Sequence, residues 1–219
     1  MAQYGKAAYW DDRYTKQPEQ FDWYQRFSGL KDMLGQYVRK DDNILMLGAG
    51  NSRLSEDMYT EGYETITNID ISRVCIDQMQ QLYQDKPALI WQQMNACALE
   101  FPDESFNAVI DKGTLDSVLC GEGSTANVAK LCMEVSRCLT PSGVYVIISY
   151  GIQENRLQYL ENDDYRYGSW CACSTCFISV GNGSGMKGGG MFAYLIMDQN
   201  WQGGGGYYES DYLYIHPFL

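Results

Sequence analysis

A chain of 219 residues, 45% of them apolar and 20% charged, has the material for one sizeable core. Its formal charge of −12 and pI near 4.4 leave no basic footprint for displacing counterions from phosphates, which argues against a nucleic-acid binder. No apolar run approaches the length that crosses a bilayer, and the N-terminal MAQYGKAAYWDDRY lacks the apolar stretch of a secretory signal, so the expected location is the cytoplasm with no membrane partner. The acidic balance either steers a basic protein partner or simply keeps the domain soluble.

In chain order, the first expected feature is an aromatic N-terminal segment carrying Tyr9, Trp10, Tyr14, Phe21, Trp23, Tyr24 and Phe27. It reads equally as a lid over a cationic ligand or as an apolar helix packed on a sheet. Four apolar runs then alternate with helical patterns: Asn43–Leu47, Thr65–Ile69, Asn107–Ile110 and Val144–Tyr150. A fifth, Ala88–Met94, is more polar and belongs nearer an edge. Alternation of this kind predicts a parallel sheet covered on both faces. Arg53–Thr60 is predicted helical with Ser52 as N-cap, and Ser72 caps a helix presenting Cys75, Met79, Leu82 and Tyr83. Ala126–Leu139 repeats Val128, Leu131, Val135 and Leu139 on one face, and Thr140-Pro141-Ser142-Gly143 then turns the chain. A short helix is expected over Glu154–Glu161. Beyond Asp164 glycine accumulates, and Cys176–Val180, Phe192–Met197 and Tyr212–Ile215 are left as candidate last strands joined by hairpins.

The chemistry concentrates at two strand ends. The first strand runs into Leu47-Gly48-Ala49-Gly50-Asn51-Ser52 and then a helix, a turn whose glycines admit a ligand to the backbone and to unpaired helix N–H groups. The second ends at Asp70, 22 residues past Gly48, the spacing at which a carboxylate holds the ribose hydroxyls of an adenosine ligand. A dinucleotide would need a third glycine beside its pyrophosphate, and Arg53 stands there. A phosphate-free adenosine ligand such as S-adenosylmethionine has no such need. The eight cysteines include a cluster, Cys171, Cys173 and Cys176, with no second pair to complete a tetrahedral zinc site. The single histidine, His216, leaves little room for histidine relays or multi-histidine metals, so no metal is expected.

Tyr9–Tyr14 (YWDDRY), Phe21–Tyr24 (FDWY), Leu47–Tyr59 (LGAGNSRLSEDMY), Asn68–Ser72 (NIDIS) and Asp111–Asp116 (DKGTLD) resemble the methyltransferases that modify lysines of elongation factor 1A. These comprise the lysine methyltransferase 4 type and the N-terminal domain of the larger dual enzyme. The resemblance runs from Tyr9 to Tyr150. It implies a Rossmann-like class I α/β fold, with a mostly parallel seven-stranded sheet, helices on both faces and a C-terminal antiparallel hairpin. It divides the single domain into a lid segment (residues 1–40), a cofactor-binding core (41–150) and an atypical substrate-side region (151–219).

The resemblance also implies an S-adenosylmethionine site. Trp10, Tyr14 and Trp23 come from the lid, and Gly48 from the glycine turn that also holds Gly50. Asp70 and Ile71 flank the ribose and adenine, Asn95 and Ala96 the adenine edge, and Lys112 lies near the methionine portion. Relatives of this type carry aspartate where this chain has Asn95; an amide oxygen still accepts from adenine's amino group but without charge assistance. The tail from Tyr165, with its CACSTC and glycine runs, lies outside the motifs that carry the resemblance, and it falls where the acceptor side is normally shaped. Asp111 and Asp116 are candidates for orienting an acceptor amine, or alternatively for capping a following helix. The implied activity is methylation of a lysine on elongation factor 1A or a similarly basic protein. The alternatives are a small-molecule methyltransferase, or a non-catalytic subunit of a larger assembly with the same fold.

Overall fold

The computed structural model describes residues 3–150, 156, 159–160, 176–179 and 192–197. Two helices, α1 (Ala7–Lys16) and α2 (Phe27–Tyr37), precede an alternating series: β1 (Asn43–Leu47), α3 (Leu54–Glu61), β2 (Thr65–Asp70), α4 (Arg73–Leu82), β3 (Leu89–Gln93) and β4 (Phe106–Lys112). Two more helices, α5 (Thr114–Leu119) and α6 (Ser124–Cys138), lead to β5 (Leu139–Ser149). These five strands pair in parallel in the order β3-β2-β1-β4-β5, with β3 at an edge as its polar residues predict.

Side chains of the central strands alternate between two cores, as the pleat requires. Ile44 and Met46 of β1 and Val144, Val146 and Ile148 of β5 face a cluster with Leu30, Leu34, Leu54, Met58 and Ile76 from α2, α3 and α4. Leu45, Leu47, Tyr145 and Ile147 face the opposite cluster, built on Leu115 of α5 and Val128, Leu131 and Val135 of α6. Burial on both faces explains why β1, β4 and β5 are continuous apolar runs rather than alternating ones. The consequence for function is that all five strands deliver their carboxyl ends to one edge of the sheet.

Three local departures from the sequence reading have clear causes. Ser52 accepts the Leu54 N–H at 3.0 Å, yet the helix begins one residue later than expected because Arg53 occupies the cap position. Leu139 leaves the α6 face to start β5, and the Thr140–Gly143 segment lies within that strand. The β4–β5 register slips there, from Phe106 opposite Leu139 to Ala108 opposite Val144, so the extra residues are absorbed as a bulge rather than a free turn. Leu82, expected on the packed face of α4, is 51% exposed at the last turn. The expected helix over Glu154–Glu161 is described only at Arg156, Tyr159 and Leu160, which are helical. Cys171, Cys173, His216 and the run Tyr212–Ile215 lie outside the described residues, and only the backbone of Cys176 is among them. No helix among the described residues is long and apolar enough to cross a membrane.

Ser72 caps α4 as expected, its hydroxyl accepting the Cys75 N–H at 3.1 Å and donating to Asp11 of α1 at 2.6 Å. Because one hydroxyl serves both a cap and a tertiary contact, Ser72→Ala is expected to lower stability by about 1–2 kcal/mol. Denaturant midpoints at unchanged m-value measure it.

Candidate cofactor site

A cavity of about 310 Å3 lies at the carboxyl edge of the parallel strands. Its floor is the turn after β1, where Gly48 and Gly50 both adopt left-handed conformations (φ +62° and +56°). At Gly48 a Cβ would fall on the Thr114 hydroxyl, and at Gly50 it would meet the Tyr14 hydroxyl at 2.8 Å, so both conformation and space demand glycine. Thr114 in turn donates to the Leu47 carbonyl at 2.7 Å, fixing the start of α5 against the turn.

Asp70 ends β2 with its carboxylate buried. One oxygen accepts the Gly50 N–H and the other the Ser72 N–H, each at 2.9 Å. Burial pushes its carboxyl up to about 6, against the lowering effect of those two backbone donors. The cost of this burial is met by tying the turns after β1 and β2 together. The carboxylate has lone-pair capacity beyond the two amides and borders the cavity, as a ribose partner must. Beside it, Ile71, Asn95 and Ala96 line the same end. Asn95 accepts the Cys97 N–H at 2.9 Å through its side-chain oxygen, closing a local turn that presents the Asn95–Ala96 backbone.

The aromatic segment closes over the opposite side. Trp10 and Tyr14 are buried and stacked with centroids 5.8 Å apart, and burial pushes the Tyr14 hydroxyl well above its ordinary range. They are at once core and cavity wall, so α1 packs on the sheet as the apolar-helix reading expects while two of its rings border the cavity. The loop from Gln17 to Arg26 is pinned at several points. Asn51 donates to the Glu19 carbonyl at 2.7 Å, Ser52 donates to Asp22, and Lys112 at the end of β4 pairs with Asp22 at 3.2 Å and donates to the Trp23 carbonyl at 2.9 Å. Burial pulls the Lys112 ammonium down, opposed by the Asp22 charge. Outside, the Arg13 guanidinium lies 5.5 Å from the Trp23 ring centroid and 6.0 Å from that of Phe21. Those faces therefore already attract a cation.

Comparison with known proteins matches this architecture. A family model described as a methyltransferase domain covers residues 45–147. The eEF1A lysine and N-terminal methyltransferase homolog of Drosophila melanogaster is 40% identical over 162 residues, which is 72% of this chain and 24% of that protein. EEF1A lysine methyltransferase 4 of Mus musculus is 34% identical over 187 residues, 81% of this chain and 72% of the mouse protein.

The chain belongs to this methyltransferase family. It thus spans about a quarter of the Drosophila relative's length, 24%, but most of the mouse methyltransferase's. A SAM-dependent methyltransferase from Methanosarcina mazei, only 18% identical, shares the fold with a TM-score of 0.61 over 81% of this chain and 99% of its own. The cofactor of the methyltransferase is S-adenosylmethionine, and the side-chain-free cradle at Gly48 and Gly50 beside a buried carboxylate fits a phosphate-free adenosine group.

The fold brings all ten residues singled out for the cofactor onto this one cavity: Trp10, Tyr14, Trp23, Gly48, Gly50, Asp70, Ile71, Asn95, Ala96 and Lys112. The two carboxylates considered for the acceptor amine fare differently. Asp111 is fully buried and is not among the residues lining that cavity; it caps α5 by accepting the Thr114 and Leu115 N–H groups at 2.8 and 3.0 Å, with the Tyr145 hydroxyl at 3.2 Å. The capping alternative therefore describes it. Asp116 does reach the cavity, but its oxygens already accept from Tyr24, Ser149, the Tyr150 N–H and two nitrogens of Arg156. Asp22, Thr114 and Asp11 lie in the recognised motifs but gain their roles only here, because nothing local marks a side chain whose partner lies 30 to 90 positions away.

Burial pushes the Asp111 carboxyl up to about 7, with nearby Asp116 acting the same way. The native carboxyl then keeps its proton where the unfolded one, titrating near 4, has lost it, so stability falls as pH rises from about 4 to about 7. Unfolding of wild type at pH 5 and pH 7.5 is expected to show this gain on acidification. Asp111→Asn flattens the dependence by on the order of 2 kcal/mol.

Proposed function

We propose that this chain transfers a methyl group from S-adenosylmethionine to a lysine amine of elongation factor 1A or a similarly basic protein. The observation that carries the acceptor class is the mouse relative, named EEF1A lysine methyltransferase 4, of which this chain matches 72% at 34% identity. The formal charge of −12 supports a basic partner, steered to the site with an on-rate that falls as salt rises. In this reading the enzyme works in the cytoplasm.

The residues divide the work by position along the strand ends. Asp70 takes the ribose hydroxyls, Ile71 covers the adenine, and Asn95 with Ala96 meets its edge. Trp10, Tyr14 and Trp23 offer aromatic faces to positive charge, and Lys112 holds the lid loop through Asp22. Bound S-adenosylmethionine supplies an electrophilic methyl group on a cationic sulfur. What the protein adds is alignment of an incoming amine and exclusion of water, with burial favouring the uncharged amine that has a free electron pair. No enzyme nucleophile is needed.

The same reading assigns residues 1–40 to a lid, 41–150 to the cofactor core and 151–219 to the acceptor side of one domain. A C-terminal hairpin completing a seven-stranded sheet is supported by antiparallel pairing of Phe192–Met197 (β7) with Val144–Ser149 and of Cys176–Ser179 (β6) with β7.

Incubation of the protein with methyl-labelled cofactor and purified, unmethylated elongation factor 1A is expected to label that factor. Label appearing only in a small-molecule fraction, or cofactor binding without any transfer, sinks the reading. Asp70→Ala is expected to weaken cofactor binding about 10- to 100-fold, because it removes acceptors for the ribose and also orphans the Gly50 and Ser72 N–H groups. Isothermal titration measures it.

A further inference from the structure

We infer that the Tyr24 hydroxyl is the atom that receives the acceptor amine, and that Asp116 acts on the amine only through it. The inference rests on the lysine reading above and names the group that performs its last alignment.

Strand spacing sets the location. With neighbouring strands about 4.8 Å apart, the end of β2 and the end of β4 flank β1 at opposite sides of the cavity. An adenosine held at Asp70 and Asn95 leaves the β4 side, around Lys112, Gly113 and Asp116, for the reacting end. Tyr24 lines the cavity there, with its ring packed on Gly113, where a Cβ would meet it at 3.1 Å. Gly113 itself is left-handed (φ +89°), and so is Tyr24 (φ +64°), a conformation that costs energy for a side chain of this size. The tertiary contacts that hold it there converge on its hydroxyl and ring. The ring stacks on Tyr150, centroids 6.3 Å apart, and the hydroxyl donates to Asp116 at 2.6 Å.

That donation decides which group is available. A carboxylate has about four lone-pair positions, and Asp116 accepts from five donors, with its charge paired to Arg156 at 2.6 Å. It has none left for an amine. The Tyr24 hydroxyl donates its one hydrogen bond to Asp116 and its oxygen accepts none among the described residues, so its lone pairs are open to an N–H. Donation to a carboxylate makes that oxygen a better acceptor. Burial and Asp116 together push the Tyr24 hydroxyl well above its ordinary range, so it stays protonated and serves as an acceptor, not as a base. An amine N–H bonded to it has its electron pair turned toward the methyl. The N–C bond forms as the S–C bond breaks, the electron pair stays on sulfur, and the proton of the alkylated nitrogen leaves to water.

Tyr24→Phe keeps the ring packing and leaves Asp116 with four of its five donors. With unmethylated elongation factor 1A, its kcat is expected to fall about 10- to 100-fold. Its Kd for S-adenosylhomocysteine should stay within about twofold of wild type. Replacing Tyr24 by 3-fluorotyrosine, which keeps the shape and weakens the oxygen as an acceptor, is expected to give an intermediate kcat. Independently, calorimetry at pH 9 on the S-adenosylhomocysteine-loaded protein should show n-butylamine binding about fivefold weaker to Tyr24→Phe than to wild type. That difference in a wild type that labels no elongation factor retires the acceptor assignment and keeps the inference. Equal butylamine binding by the two proteins overturns it, as does a Tyr24→Phe kcat equal to that of wild type.

Discussion

The buried carboxylate of Asp70 is the contact on which the rest of the site depends. It reaches from the end of β2 to the amide of Gly50 in the turn after β1, and to the amide of Ser72 at the start of α4. Two loops that share no sequence are thereby fixed relative to each other. Only because the β1 turn is held in that place can it be made of left-handed glycines lying against Thr114 and Tyr14. Burying a carboxylate costs free energy unless donors surround it, and here the donors are the backbone of the very turns it organises.

A second buried carboxylate repeats the device one strand across. Asp111 closes the β4 end by capping α5, as Asp70 closes the β2 end, and Tyr145 from β5 completes its donors. The two acids sit on either side of β1 and turn the carboxyl edge of the sheet into a rigid rim. Asp116 stands one turn further along α5 and ties that rim to the end of β5 through Ser149 and Tyr150. Rigidity of this kind is what an alignment-dependent reaction requires, since misplacement of a reacting group by an ångström is expensive.

The aromatic segment is attached to this rim by polar contacts rather than by burial alone. Asp11 meets Ser72, Asp22 meets Ser52 and Lys112, and Tyr24 meets Asp116. Trp10 and Tyr14 are buried, whereas Phe21 and Trp23 remain 49% and 37% exposed. The inner part of the segment therefore belongs to the core, and the outer part to the mouth of the cavity. The loop from Gln17 to Arg26 is thus held by a few ion pairs and hydrogen bonds, while α1 is held by packing.

The sequence by itself determined the parallel sheet, its edge strand, the Ser72 cap, and the glycine turn and Asp70 at the strand ends. Each of these is a local or periodic signal: apolar runs buried on both faces, glycines where φ must be positive, an acid at a fixed distance from them. The pairing of Asp22 with Lys112, the saturation of Asp116 and the placement of Tyr24 came only with the tertiary structure. So did the bulge that absorbs Thr140–Gly143 and the withdrawal of Asp111 into a helix cap. A carboxylate reads the same in a sequence whether its lone pairs are open to a substrate or filled by five donors. Those donors lie on three different segments of the chain, and only folding brings them within reach of one carboxylate.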